Sequence, residues 1–149
     1  MTFCVFGVGN TLHSDDGAGP ATIVAVRELC PDIPVYNCGT APENFTGPAR
    51  KLHPDLLLIV DAADMGLLPG SVRRIPEQRI HDTAIGTHMM ALSHLMRFLA
   101  DAAEGILVIG IQPATLVEGE DLSPEVEDAV AQVAAAIAAG TVRDLPLLE

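Results

Sequence analysis

Basic residues are scarce in this chain. Lysine and arginine number 8 against 20 aspartates and glutamates, a formal charge of −12 at pH 7. That balance argues against nucleic acid and anionic membrane as partners, because both would be repelled, and most of it serves solubility. Long apolar runs are missing as well. LLLIVDAADMGLL (56–68) is broken by Asp61 and Asp64 and falls short of the roughly 18 residues a membrane helix needs, so no membrane insertion is expected. The N-terminal TFCVFGVG has neither the basic region nor the small-residue cleavage site of a secretory signal. Cysteines are few and odd in number: Cys4, Cys30 and Cys38 have no metal-type spacing, which points to reduced thiols in the cytoplasm. Repeats, low-complexity tracts and linkers are absent too. A chain of 149 residues, 49% apolar and 19% charged, can bury a respectable core, and residues 1–149 read as one cytoplasmic domain.

What is present alternates. TFCVFGV (2–8) and LLLIVDA (56–62) are continuous apolar runs ended by Gly or polar residues, the pattern of strands covered on both faces. IPVYNC (33–38) and ILVIGI (106–111) are shorter runs of the same kind. SVRRIP (71–76) alternates and carries charge, which suits an edge strand. Helical spacing fills the gaps. In 18–29 a stripe of Ala21, Val24, Ala25 and Leu29 is expected to face the core. In 88–99 the stripe is Leu92, Leu95 and Leu99. In 124–138 it is Val126, Val130, Val133 and Ile137, behind an N-cap and N1 pair at Ser123 and Pro124. The stretch 43–52 is a weaker helix with Pro48 inside it. The order predicts an α/β fold, a three-layer α/β/α sandwich. Its central sheet has about five mostly parallel strands, with one edge strand antiparallel.

In open α/β sheets, ligands sit beyond the carboxyl ends of the strands, where the strand order reverses. Two candidate loops reach that edge with carboxylates: GVGNTLHSDDGAG (7–19) and DAAD (61–64). The first has the glycines of a phosphate-binding loop but not its chemistry. Gly7 and Gly9 fit the dinucleotide fingerprint, yet position 12 is Leu and the next glycine is Gly17. The loop also lacks the lysine of a P-loop, and Asp15 and Asp16 would oppose a pyrophosphate.

Converging carboxylates suit a cation instead. Asp16 closes the first loop and Asp61 ends the third strand. His88 continues the buried stripe of its helix backwards, and at a helix N-terminus its ring stays neutral, the form that binds metal. Two carboxylates and an imidazole suit a borderline divalent ion such as nickel or zinc. Two structural alternatives stand beside this: Asp61 as a cap on backbone amides, and His88 as a satisfied core histidine. His13 reads as a surface-loop residue, and Cys38 as a small buried one.

Four motifs in order, GVGNTLHSDDGAG, LLIVDAADMGLLPG (57–70), GTH (86–88) and GIQP (110–113), resemble the hydrogenase maturation endopeptidases, from the N-terminus to about residue 138. GTAPEN (39–44) and GIQP further resemble the branch serving formate-hydrogenlyase and energy-converting hydrogenases. The resemblance implies removal of a C-terminal extension from a nickel–iron hydrogenase large-subunit precursor after nickel insertion. It carries metal contact and catalysis to Asp16, Asp61 and His88, with nickel supplied by the precursor and zinc or cadmium as stand-ins. Whether the metal activates water or serves as a recognition handle, with Asp16 or Asp61 as base, is left open by the motifs. A non-catalytic nickel-binding chaperone would need the same three ligands; a nucleotide-binding domain is the third alternative. Relatives often place an aspartate where this chain has Asn37, and an amide can only hydrogen-bond there.

Overall fold

The computed structural model describes residues 2–83, 85 and 88–149, the side chains of 88–91 excepted. Its five strands are β1 (Phe3–Val8), β2 (Val35–Gly39), β3 (Leu56–Ala62), β4 (Val72–Ile75) and β5 (Gly105–Ile111), arranged β2-β1-β3-β5-β4. The first three and β5 run parallel; β4 pairs antiparallel with β5. The four α-helices are α1 (Ala18–Leu29), α2 (Thr46–Leu52), α3 (His88–Phe98) and α4 (Pro124–Ala139).

Strand period assigns the layers. Cys4, Phe6, Leu57 and Ile59 pack on one face with Leu92, Leu95 and Leu99 of α3 and Ala49 of α2. Val5, Leu56, Leu58 and Val60 pack on the other with Ile23 and Val26 of α1 and the expected stripe of α4. Successive side chains of a strand point to opposite faces, so a strand buried on both faces is largely apolar, as β3 is up to Asp61. This is the three-layer α/β/α sandwich with one antiparallel edge strand.

The stripe expected on α1 is wrong. Val24 and Leu29 face solvent and Ala21 and Ala25 are half-buried, while Ala18, Gly19, Thr22, Ile23 and Val26 form the buried face. The reason is contact distance. A Cβ on Gly19 would stand 2.3 Å from the Val8 carbonyl oxygen and 2.4 Å from that of Val60, and one on Gly7 would stand 2.5 Å from the Gly19 carbonyl oxygen. The start of the helix therefore rests backbone on backbone, and only small residues fit beneath it.

The weak helix at 43–52 divides into a 3₁₀ turn (Pro42–Phe45) and α2. Pro48 falls in the first turn of α2, where its missing N–H costs nothing. Phe6, Tyr36 and Phe45 hold that turn to the sheet, with ring centroids 5.8 to 6.2 Å apart. The outer edge of β4 is covered by residues 145–148, through Arg74 N–H to Pro146 O (2.8 Å) and Leu148 N–H to Arg74 O (2.9 Å). An unpaired strand edge invites pairing with other chains, and this segment removes it. Among the described residues no helix is long and apolar enough to cross a membrane.

Candidate active site

The strand order reverses between β1 and β3, so the crevice lies where their carboxyl ends diverge. After β1 the chain turns at Gly9, whose φ of +146° only glycine adopts readily; a Cβ there would lie 1.9 Å from the Asp16 carbonyl oxygen. A 3₁₀ turn (Ser14–Gly17) follows and leads into α1. Its two adjacent aspartates do different work.

Asp15 is fully buried and accepts hydrogen bonds from four donors. One oxygen takes Ser123 N–H (2.7 Å). The other takes Ala114 N–H (2.8 Å), Thr115 N–H (3.1 Å) and the Ser123 hydroxyl (2.9 Å). It ties the loop after β5 to the loop after β1. Ser123 is thus the residue before α4, as its sequence predicts, but its hydroxyl serves Asp15 and makes no cap bond within the helix. Asp16 is held at one oxygen by Asn10 N–H (3.0 Å), and the residue is 6% exposed.

Asp61, the penultimate residue of β3, is fully buried and pairs in register with Gly110 of β5. By strand alternation it follows Leu57 and Ile59 on the face that carries α3. The 3₁₀ turn bearing Asp16 packs against β3, so the two buried carboxylates share one edge of the sheet. α3 starts at His88. The side chain of His88 lies outside the described residues, and among those described no three His, Cys, Asp or Glu residues cluster as a metal site.

Gln112 organises the loop that follows Asp61. Its side-chain oxygen accepts from Met65 N–H (2.6 Å) and Leu67 N–H (3.4 Å), and its amide donates to Asp64 (3.3 Å). Its backbone carbonyl accepts from Gly70 N–H (2.8 Å). Asp64 is therefore a turn residue, also accepting from Gly66 N–H (3.3 Å). Between this loop and 113–116 runs an open groove of about 460 Å³, half polar, lined by Asp64, Gln112 and Leu116 among others. Neither Asp15 nor Gln112 stands out as a positioning residue in the sequence, although each lies inside a motif.

The remaining candidates are peripheral. His13 is exposed and bridges to Gly119. Asn37 is exposed on β2 and accepts from Gly39 N–H (3.1 Å). Cys38 is buried, and burial pushes its thiol up to about 12, so it holds no thiolate at neutral pH. Ser93 and His81 approach at 3.5 Å, the outer limit of a hydrogen bond and too far for a nucleophile–base pair.

Comparison with known proteins bears on this geometry. Residues 23–140 match the profile of the hydrogenase maturation proteases. The chain is 37% identical over 139 residues to the hydrogenase 3 maturation protease of Escherichia coli, a span of 89% of this chain and 86% of that one. Its fold superimposes on the solution structure of the endopeptidase HycI from E. coli with a TM-score of 0.86 at 32% identity, covering 100% of this chain and 97% of that one. A [NiFe] hydrogenase maturation protease from Thermococcus kodakarensis gives a TM-score of 0.82 at 26% identity, covering 94% and 92%.

Proposed function

This chain belongs to the hydrogenase maturation protease family, and from that membership we propose that it is the endopeptidase for a nickel–iron hydrogenase large-subunit precursor. It removes the C-terminal extension after nickel insertion. Asp16, Asp61 and His88 recognise the nickel, which arrives as part of the substrate.

One observation carries the proposal: two aspartates, both nearly or fully buried, are presented at one sheet edge by the turn after β1 and the end of β3. Oxygen donors with an imidazole suit a borderline divalent ion, and three donors leave positions for ligands that belong to the precursor. Zinc or cadmium would take the same donors in vitro.

The chain's own residues supply orientation and base. Asn10 N–H fixes one oxygen of Asp16. We take water as the nucleophile, since burial pushes the Cys38 thiol up to about 12 and it holds no thiolate at neutral pH. Asp16 or Asp61 takes its proton as the oxygen bonds to the scissile carbonyl carbon, and that proton passes to the leaving amine as the C–N bond breaks. When present, the ion would supply positive charge to the site, held by Asp16, Asp61 and His88. We place the reaction in the cytoplasm, in keeping with three cysteines that are all free thiols.

Mass spectrometry of nickel-loaded and metal-free precursor, each incubated with the protein, tests this. A C-terminal peptide is lost from the loaded form alone. An unchanged mass in both overturns processing, and rapid cleavage of the metal-free form removes nickel as the recognition element.

A further inference from the structure

The loops at the crevice also hold apolar side chains in water. Leu12, after β1, is 56% exposed; Leu68, after β3, 81%; Leu116 and Val117, after β5, 38% and 68%. Hydrogen bonds lock these loops together. Gly119 N–H donates to Leu12 O (2.8 Å), the Ser14 hydroxyl to Val117 O (2.7 Å) and Gly70 N–H to Gln112 O (2.8 Å). The tips are therefore held in fixed positions around one edge. Burying such side chains is favourable, so apolar tips carried by the loops of one functional edge mark an interaction surface. Among the described residues other exposed apolar side chains, such as Leu29 at the end of α1 and Leu52 at the end of α2, belong to elements away from these loops.

Charge at this edge is of one sign. The segments 9–17, 63–71 and 112–123 contain no lysine or arginine, while Glu118, Glu120 and Asp121 are exposed beside Leu116 and Val117. A second copy of the chain is therefore a poor occupant: a two-fold interface would set these acidic loops against themselves. A complementary partner is apolar at its centre and basic at its rim.

We propose that Leu12, Leu68, Leu116 and Val117 are the docking surface for the folded body of the precursor, meeting an apolar face with basic groups around it. The proposal rests on the processing function above and adds to it: recognition extends from the metal to a macromolecular face, with the groove between the loops receiving the adjoining polypeptide.

Biolayer interferometry on immobilised full-length nickel-loaded precursor tests it, comparing the parent with a Leu68→Ser/Val117→Ser double variant and a Leu29→Ser/Leu52→Ser control. Both pairs are exposed, so folding is retained. The docking variant raises Kd about tenfold or more, and the control stays within about twofold. In cleavage assays the docking variant raises KM and leaves kcat unchanged. Parental Kd in the docking variant overturns the proposal, as does failure of the parent to bind. So does a parent that sediments as a dimer and is made monomeric by the docking substitutions. A parent that binds tightly with the expected loss in the docking variant, but never cleaves, overturns the processing function and leaves the surface standing.

Discussion

Replacing Asp15 by asparagine removes one negative charge and one acceptor from a fully buried group with four donors. The amide keeps a single oxygen. Set where the three-bond oxygen stands, it still accepts from Ala114, Thr115 and the Ser123 hydroxyl. Its NH₂ then faces Ser123 N–H, donor against donor. A buried donor left without an acceptor costs about 1–3 kcal/mol. The three surviving bonds also lose their charge assistance, roughly another 1–2 kcal/mol between them. The opposite amide orientation loses more bonds, so the favoured one sets the total, about 2–5 kcal/mol. For a chain of this size each kcal/mol moves Tm by about 2–4 °C, which predicts a fall of roughly 4–20 °C. Circular dichroism melts of parent and Asp15→Asn measure it, and amide exchange at Ala114 and Thr115 should accelerate in the same variant. A variant melting within about 2 °C of the parent would refute the reasoning, because the carboxylate could not then be the tie between the two loops.

Three further outcomes follow from the site and the core. His88→Ala should fold, since Leu92, Leu95 and Leu99 remain to seat α3, at a cost toward the low end of about 0.5–3 kcal/mol. It should nonetheless lose precursor cleavage, and a destabilised but active variant would sink its assignment as a ligand. Asp61→Ala should abolish the heat of nickel binding in isothermal titration, whereas parental affinity would mean that the ion sits elsewhere. Burial pushes the thiols of Cys4 and Cys38 up to about 12. An unfolded chain ionises its thiols near 8.5, so above that pH it binds fewer protons than the fold and stability falls as pH rises. Melting temperature should therefore drop on the alkaline side, and less so in a Cys4→Ala/Cys38→Ala variant; identical slopes would show that other groups govern it.

The sequence made the four parallel strands legible because each is a short, mostly apolar run between glycine or polar breaks, and β1 and β3 begin and end within a residue of expectation. Helices α3 and α4 were legible because long side chains at helical spacing mark their buried faces. The same reasoning failed on α1, where burial follows smallness: hydrophobic periodicity gives weight to Val24 and Leu29 and none to Gly19. Asp16 and Asp61 could be placed at one edge from strand order alone. The division of labour between Asp15 and Asp16 could not, because the partners of Asp15 lie about a hundred residues away in the chain. Nor did residues 145–148 announce themselves as the cover of β4, since a few backbone bonds leave no pattern in composition.

The seating of α1 on bare backbone at Gly7, Gly9 and Gly19 has a mechanical consequence. A helix propped on side chains can settle by changing rotamers; one resting on the carbonyl oxygens of Val8 and Val60 has nothing compressible beneath it. Asp16, one short turn upstream, inherits that rigidity, while Asp61 takes its own from the ladder with β5. The backbone positions of the two aspartates are then set by the peptide framework more than by side-chain packing.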